Sequence, residues 1–437
     1  MPILRRIRRA TLPWSRSAPT RWRFRLELRE TQLDNGLTVM AECNDEAHTC
    51  SVGFFVRTGA RDETPEVAGV SHFLEHMVFK GTPQRTADDV NREFDEMGAH
   101  YNAYTSEEST VYFAAILPEH QDRVVDLWAD VLRPSLREDD FDMEKNVIIE
   151  EIRMYDDQPP YGADDRCKAA FFAAHPLANS VIGTVESVSN LAVDQMRSYF
   201  EERYSPGNIA LVGSGKIDFD QLVRKAEEVC GGWQPFETRR NLPRVEPCQE
   251  FVTLTKTEST QEYAMEFALA PGSNAEERYA AKVLSVALGD DSGSRLFWDL
   301  VDPGLAENAS LGHYEYDDAG LFVTYMACAP EACRDNLQRI LNLYRQAAVE
   351  GIRPSEIDQA KAKITSRVVI ASERPRSRLF NVGGSWLHGR PYRSVREDLD
   401  ALAAVTVDDV ARVMEQFPLT RNTTIAVGPL DDVAAPE

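Results

Sequence analysis

The chain has 437 residues and a formal net charge of −23 at pH 7, with 43% hydrophobic and 27% charged residues. So acidic a chain argues against nucleic acid as a partner, and no uninterrupted apolar run is long enough to span a bilayer. Because single hydrophobic cores stop growing at about 250–300 residues, the length predicts two domains.

The first 26 residues differ in composition from the rest of the chain. They are rich in Arg, Ser and Thr and hold no acidic residue before Glu27, as in a mitochondrial transit peptide. A disordered basic tail, or an upstream start codon in a bacterial gene, also explains this composition and is the interpretation we favour. We therefore expect a basic, disordered segment at 1–26 of a bacterial cytoplasmic protein, with the mitochondrial matrix as the alternative location.

The seven cysteines are widely scattered and form no Cys-x-x-Cys pair. An odd number of separated cysteines fits a reducing compartment, in which the thiols act as small hydrophobic side chains. The pattern does not support a zinc site built from cysteines.

Strand-like runs and amphipathic helices alternate from Thr31 onward. An Asn-Gly turn inside TQLDNGLTVMAEC predicts a β-hairpin, and CSVGFFVRTGAR is typical of a further strand. A loop then leads to a helix over the stretch 71–82, and the stretch 86–99 predicts an amphipathic helix that ends at Gly98. More helices and strands follow, and NIALVGSGKI is the last strand of the first half.

Residues 233–250 hold three Pro and little periodicity, which is typical of a linker. After this linker the order of strands and helices repeats, with helical segments at 354–372 and 393–416, and NTTIAVGPL matches NIALVGSGKI. The sequence thus predicts an α+β protein of two related halves, 27–232 and 251–437. The functional motif described next lies only in the first half, so we expect the second half to be inactive.

The stretch SHFLEHMVFKGT, residues 71–82, carries the strongest functional signal. His72 and His76 are four residues apart and Glu75 is three from the first, so a helix places all three on one face. Two neutral imidazoles at this spacing can bind one Zn²⁺, and a carboxylate beside them can accept a proton from an attacking water. His-x-x-Glu-His is the inverzincin motif. An amphipathic helix with two solvated or buried histidines is the alternative that we consider weaker.

A catalytic zinc needs three protein ligands and one open position. Candidates for the third ligand are Glu144, Glu150 and Glu151 on the acidic stretch EKNVIIEE. Glu144 and Glu151 are about two helical turns apart and share a face, whereas Glu150 lies ~100° away from Glu151. Composition alone favours a solvated acidic helix here, so the residues by themselves leave the third ligand open.

Four motifs give the chain a resemblance to a known family: GVSHFLEHMVFKGT, NAYTSEESTVY, EKNVIIEEIRMYDD and, in the second half, GSRLF. The chain resembles the M16 zinc peptidases, such as pitrilysin, insulin-degrading enzyme and mitochondrial processing peptidase. Length and layout are closest to the bacterial single-chain M16B group. The resemblance implies two homologous halves, each a mostly antiparallel sheet with helices packed on it.

The resemblance also assigns roles to the acidic residues. It implies that Glu75 is the general base and that Glu144 supports the site by orienting a His ring through its N–H. It implies Glu151 as the third ligand, and Glu150 takes that role if the register is shifted by one residue. The implied ligands of one Zn²⁺ per chain are His72, His76 and Glu151.

One segment resembles the edge strand on which this family binds its substrate as an added strand. Such binding uses main-chain hydrogen bonds and therefore selects extended, unfolded peptides. An ordinary strand next to a turn is the alternative. The segment consists of Asn102, Ala103, Tyr104 and Thr105.

The second half departs from the family at an Arg and a Tyr that active relatives carry after the SRLF stretch. The Arg position is Val301 or Leu300, depending on the direction of counting, and the Tyr position is Glu307. Either a partner chain supplies the pair, or activity is reduced, or a nearby residue replaces the lost donor. The candidates for such a replacement are His313, Tyr314 and Tyr316.

The sequence as a whole predicts a zinc endopeptidase that cleaves unfolded peptides. A non-catalytic M16-like scaffold subunit is the competing interpretation, but such subunits usually lose zinc ligands that this chain keeps. A subunit of a processing peptidase that removes targeting peptides is a third. The resemblance further implies a homodimer, or a heterodimer with a second M16-like subunit.

Overall fold

The computed structural model describes residues 26–157 and 162–437, so the predicted basic segment lies outside the described residues except for Leu26. The chain forms two compact units. The first comprises the described residues up to Ile149 together with Val181–Arg240 and Val369–Arg396. The second comprises the remainder. The predicted bounds 27–232, 233–250 and 251–437 stay a prediction, because compact units group residues by contact and not by chain order.

A six-stranded sheet is the framework of the first unit. Its order is β1-β2-β6-β3-β5-β4, and all neighbours are antiparallel except β2 and β6. The β1–β2 hairpin confirms the prediction from the Asn-Gly turn. The strands are β1 Glu27–Gln32, β2 Thr38–Cys43, β3 Cys50–Val56, β4 His100–Thr105, β5 Thr110–Ile116 and β6 Ile209–Gly215.

Helices connect and cover the strands of both units. Among the described residues, no helix is both long and apolar enough to cross a membrane. The helices are α1 Val70–Val78, α2 Ala87–Glu96, α3 Gln121–Val131, α4 Glu138–Asp157, α5 Ala163–Phe172, α6 Val185–Asn190, α7 Val193–Arg203, α8 Phe219–Cys230, α9 Arg278–Gly289, α10 Cys333–Glu350, α11 Pro354–Ser372, α12 Pro375–Leu387, α13 Val395–Ala404 and α14 Val407–Gln416.

The core of the first unit includes helix α12, which packs on β3 and β6. Its Leu379 and Val382 join a buried cluster with Phe55 and other strand residues. Gly383 lies so close to Phe55 that a Cβ at this position would be 2.3 Å from the ring. Helices α3 and α8 also contact the sheet. Cover from several helices explains why every residue of β3 is buried.

A five-stranded sheet of order β7-β11-β8-β10-β9 is the framework of the second unit. Only β7 and β11 are parallel among these neighbours, which confirms the α+β class and the mostly antiparallel sheets. Alternate residues of β8 enter two cores, with Ala264 and Ala268 in one cluster and Phe267 in the other. The strands are β7 Phe251–Thr255, β8 Glu262–Ala270, β9 Asn308–Tyr316, β10 Ala319–Cys328 and β11 Asn422–Gly428.

Residues 393–416, predicted as one helical segment, form two helices instead. Thr406 has an extended backbone, and its hydroxyl accepts the N–H of Asp409 in a capping box that starts α14. Because an N-cap residue adopts non-helical dihedrals, it ends one helical stretch as it begins the next. The prediction followed hydrophobic periodicity and missed this local signal.

Candidate metal centre

Helix α1 carries the His-x-x-Glu-His motif. A side chain from the loop before the helix fixes its first turn. The carboxylate of Glu63 accepts the N–H of Gly69 at 2.7 Å and the N–H of Ser71 at 2.7 Å. Gly69 has a φ of +91°, and a Cβ at this position would lie 2.9 Å from the carbonyl oxygen of Ile182. Glycine is therefore required before the helix. Because Ser71 precedes His72, this cap fixes the backbone that carries the first histidine.

A chain of hydroxyl groups braces the same end of α1 against α7. The Ser71 hydroxyl lies 2.7 Å from the Tyr199 hydroxyl, which lies 2.9 Å from the Thr58 hydroxyl. Arg203 donates to Thr58 at 3.1 Å and pairs with Asp62 at 2.6 Å. Tyr199, Thr58 and Arg203 are all buried. The start of the motif helix is thus held on two sides.

The apolar face of α1 sets the direction in which the motif side chains point. Phe73, Leu74 and Met77 are buried, whereas Glu75 and His76 are half-buried. The Phe73 ring stacks on Phe141 of α4 with centroids 4.5 Å apart. Aromatic stacking of this kind contributes about 1 kcal/mol beyond burial. It holds the acidic helix α4 beside the motif helix.

His72, His76 and Glu151 come together in the folded chain. One ligand atom from each lies within 4.8 Å of the other two, and the two imidazole centroids are 4.7 Å apart. The division between the units falls between Ile149 and Glu150, but α4 is continuous across it. Glu151 is therefore positioned by the same helix that carries Phe141 against α1. Two imidazoles and a carboxylate form a donor set that suits Zn²⁺.

The surroundings of the two histidines fit metal binding. Burial, followed by the neighbouring His76, lowers the pKa of His72 to about 4, so its ring is neutral and keeps a lone pair. The Nδ1 of His76 lies 2.9 Å from Glu144 Oε1. A proton on this Nδ1, donated to the carboxylate, leaves the lone pair of Nε2 as a ligand atom.

Glu144 is held in its ionised form by two neighbours. Burial alone would raise its pKa, but hydrogen bonds with His76 and with Lys80, together with their charges, lower it below the usual value. Lys80 forms an ion pair with the second oxygen of this carboxylate. Lys80 lies four residues after His76, in the turn that follows α1, so both partners of Glu144 come from one short segment.

Glu75, the predicted general base, is linked to the edge strand. The Thr105 hydroxyl at the end of β4 donates to Glu75 Oε2 at 2.6 Å. Among the described residues, β4 pairs only with β5. Its Asn102 and Tyr104 are exposed while Ala103 is buried, and the Asn102 side chain accepts the N–H of Ala103 at 2.9 Å. The base and a strand edge are therefore neighbours, although substrate binding by this strand stays a prediction.

The alternative third ligand, Glu150, lies apart from the cluster. Its side chain is exposed and pairs with Arg153 at 2.5 Å. The helical offset of one residue accounts for this difference from Glu151.

The second unit has apolar and acidic side chains at the positions where the resemblance predicts an Arg and a Tyr. Leu300 is buried and Val301 packs against the same cluster, so neither position offers a polar donor. Glu307 accepts a hydrogen bond from Gln261. The three replacement candidates lie on β9, where His313 Nε2 is 2.8 Å from the carbonyl oxygen of Pro271 and Tyr314 is 55% exposed.

Sequence reasoning missed several residues that support the site. Lys80 lies inside the motif stretch, and its spacing from His76 was a usable signal. Glu63, Thr58 and Tyr199 gave none, because their contacts with α1 depend on the folded chain. The hydrogen bond from Thr105 to Glu75 was also unforeseen, although Thr105 was named for another role.

Two family models together match most of the chain. The model described as "Insulinase (Peptidase family M16)" matches residues 38–185. The model described as "Peptidase M16 inactive domain" matches residues 190–364. The first model includes the motif stretch 71–82 and the second does not.

Relatives and a solved structure agree with these matches. An "uncharacterized zinc protease" of Mycobacterium tuberculosis is 34% identical over 408 residues, which are 92% of this chain and 93% of the relative. One of Bacillus subtilis is 30% identical and covers 88% of this chain and 94% of its own. A crystal structure of a protease from Helicobacter pylori superposes with a TM-score of 0.86 at 21% identity, covering 92% of this chain and 100% of that one. The chain belongs to the M16 family of peptidases.

Proposed function

We propose that the protein is a zinc-dependent endopeptidase that hydrolyses unfolded peptides, with one Zn²⁺ per chain. The observation that carries the proposal is the group of His72, His76 and Glu151, whose ligand atoms lie within 4.8 Å of one another. Three protein ligands with an open fourth position are typical of catalytic zinc. When bound, the ion would polarise the peptide carbonyl and lower the pKa of a water molecule.

Glu75 serves as the general base in this proposal. It lies between the two histidines in sequence and accepts a hydrogen bond from Thr105 through Oε2. That bond helps to orient the carboxylate, which accepts the proton of the attacking water in this proposal. Glu75 then returns the proton to the leaving amine.

Glu144 and Lys80 position His76. An ionised Glu144 holds the Nδ1 proton of His76 and so fixes both the tautomer and the ring orientation. Lys80 balances the charge of this carboxylate. Glu144 is thus a positioning residue, because it acts on the ion only through His76.

Extended peptides are the proposed substrates. A strand edge that is unpaired among the described residues can accept a peptide by main-chain hydrogen bonds, which are independent of sequence. The segment from Asn102 to Thr105 ends at the residue that contacts Glu75, so a peptide paired there runs towards the base. The net charge of −23 is compatible with basic peptides.

A partner subunit is the favoured explanation for the missing Arg and Tyr. Leu300, Val301 and Glu307 supply no cationic or phenolic donor, and losing one donor to a developing oxyanion typically costs ~10²–10³ in rate. In a heterodimer, a second M16-like subunit that carries the pair would complete the site. A homodimer has the same residues in both copies and would rely on His313, Tyr314 or Tyr316 instead. A scaffold subunit and a processing-peptidase subunit remain the competing functions, and a cytoplasmic location stays a prediction.

Metal analysis of the purified chain, combined with cleavage of an unstructured peptide, tests the proposal. We expect about one zinc per chain and cleavage that a chelator abolishes. The double variant His72→Ala, His76→Ala should lose the metal, whereas His48→Ala, an exposed control, should keep it. Full retention of zinc by the double variant would refute the site. Zinc binding without cleavage, alone or with a second M16-like subunit, would favour the scaffold.

A further inference from the structure

Two cysteines meet in the second unit. Cys328 is the last residue of β10 and Cys333 is the first residue of α10, with a short turn over Pro330–Ala332 between them. Their relative exposures are 1% and 0%, and both belong to the same buried cluster. Their thiols are hydrogen-bonded to each other. The fold therefore creates a buried dithiol from two cysteines that no local motif pairs.

A buried carboxyl group accompanies the two thiols. Glu262 of β8 is the direct cross-strand partner of Cys328, and its charge acts on both Cys328 and Cys333. The side chain has no exposed surface, and its Oε1 has no hydrogen-bond partner among the described residues. Its Oε2 accepts only a long bond, 3.4 Å, from the N–H of Leu430. A buried carboxylate with an oxygen that no described residue occupies, on the residue directly opposite Cys328, can accept the proton of that thiol.

The two thiols are not equivalent. The hydrogen bond from Cys333 lowers the pKa of Cys328 in spite of burial, and Asn336 adds to this effect. The same thiol–thiol bond, together with burial, raises the pKa of Cys333. The thiolate is the reactive form of cysteine. Glu262 is the direct cross-strand partner of Cys328, so we assign the first attack to Cys328 and the second to Cys333.

We propose that Cys328 and Cys333 form a reversible intramolecular disulfide on reaction with hydrogen peroxide, with Glu262 as the proton acceptor. Burial restricts the pair to small oxidants of this kind. The proposal concerns a modification site of the second unit and is independent of zinc and of peptide hydrolysis.

The reaction balances in two steps. Cys328 passes its proton to Glu262, and its sulfur attacks one peroxide oxygen, so that the O–O bond breaks and a sulfenic acid forms. The leaving hydroxide takes the proton from Glu262 and departs as water. The sulfur of Cys333 then attacks the sulfur of Cys328, the S–O bond breaks, and a second water leaves with the proton of Cys333. Two thiols are oxidised while one peroxide is reduced to two waters.

Peptide mapping of the intact chain tests this proposal without any substitution. Residues 296–334 form one tryptic peptide that contains both cysteines and no other. After treatment with peroxide, denaturation and alkylation, we expect this peptide to have lost two hydrogens and to carry no alkyl group. Cys230, whose pKa burial raises to about 12, is the control and should stay alkylatable in the same digest.

Two results would overturn the proposal. One is a peptide 296–334 that stays fully alkylatable when Met143, which is 66% exposed, has become the sulfoxide. The other is oxidation of Cys230 at the same rate, which would indicate reaction of an unfolded chain.

Variants then test the assigned roles. Cys333→Ser should trap a sulfenic acid on Cys328, and Cys328→Ser should leave Cys333 reduced. Glu262→Gln should slow formation of the disulfide about tenfold or more, because it removes the proton acceptor. Equal rates for Glu262→Gln and the parent would refute the role of Glu262. A sulfenic acid on Cys333 in Cys328→Ser would refute the order of attack.

Discussion

Glu266 makes the stability of the second unit depend on pH in an unusual direction. This residue of β8 is buried between Thr324 of β10 and Thr424 of β11. Burial raises its pKa from 4.5 to about 7, although a hydrogen bond with Thr324 opposes the shift. The Thr324 hydroxyl also lies 2.8 Å from that of Tyr344. The carboxyl group is therefore neutral in the folded protein over much of the acidic range.

The pH window follows from these two pKa values. The unfolded chain releases this proton near pH 4.5 and the folded chain near pH 7, so the folded state binds more protons in between. The free energy of unfolding then falls as pH rises. The contribution of Glu266 to the free energy of unfolding is fully present below pH 4.5 and is lost as pH rises through 7. A shift of this size corresponds to about 3 kcal/mol.

The substitution Glu266→Gln removes this titration while keeping the shape of the neutral side chain. Relative to the parent, the variant should gain about 3 kcal/mol between pH 4.5 and pH 8. Urea unfolding with a chelator present measures the difference in unfolding free energy without a contribution from metal. The other titrating groups are the same in both proteins, so their effects cancel in this difference. Phe322→Leu, a buried neutral control in the same core, should lower stability equally at both pH values. If the free energy of unfolding changed with pH in parallel for Glu266→Gln and the parent, the reasoning would be refuted.

Three further predictions concern the candidate metal centre. Glu75→Gln should keep zinc and lose hydrolysis, since an amide cannot accept the proton of water; retained cleavage in a peptide assay would exclude Glu75 as the base. Glu151→Gln should lose zinc and Glu150→Gln should keep it, as metal analysis of both would show, and the reverse outcome would mean a register error of one residue. Lys80→Met should weaken zinc affinity about 10–100-fold through Glu144 in a chelator competition, and an unchanged affinity would remove Lys80 from the site.

Local patterns predicted the parts of the protein that depend on neighbours in sequence. The Asn-Gly turn predicted the β1–β2 hairpin, and helical periodicity placed Glu144 and Glu151 on one face of α4. The spacing of His72 and His76 predicted that both lie on one helix. Each of these statements needs only backbone geometry over a few residues.

Contacts between distant segments could not be predicted in this way. Glu63 caps α1 across an intervening loop, and Tyr199 reaches Ser71 from 128 residues away. Nothing in the local sequence around either residue signals such a contact, because the fold alone brings them together. The dithiol of Cys328 and Cys333 was missed although the two residues are only five apart, because the local sequence does not show that a strand end and a helix start bury both side chains in one core.

The capping of α1 by Glu63 has a consequence for the order of folding. A helix of nine residues is too short to persist in water, and its cap and brace come from other parts of the first unit. We therefore expect the two histidines to reach their final positions only when Glu63 and Tyr199 of α7 contact α1. In the proposed function, zinc would therefore bind to a chain that is already folded, in contrast to a zinc finger, which is unfolded without its ion. A chelator should accordingly remove the ion and leave the polypeptide folded, so that added Zn²⁺ binds again without refolding.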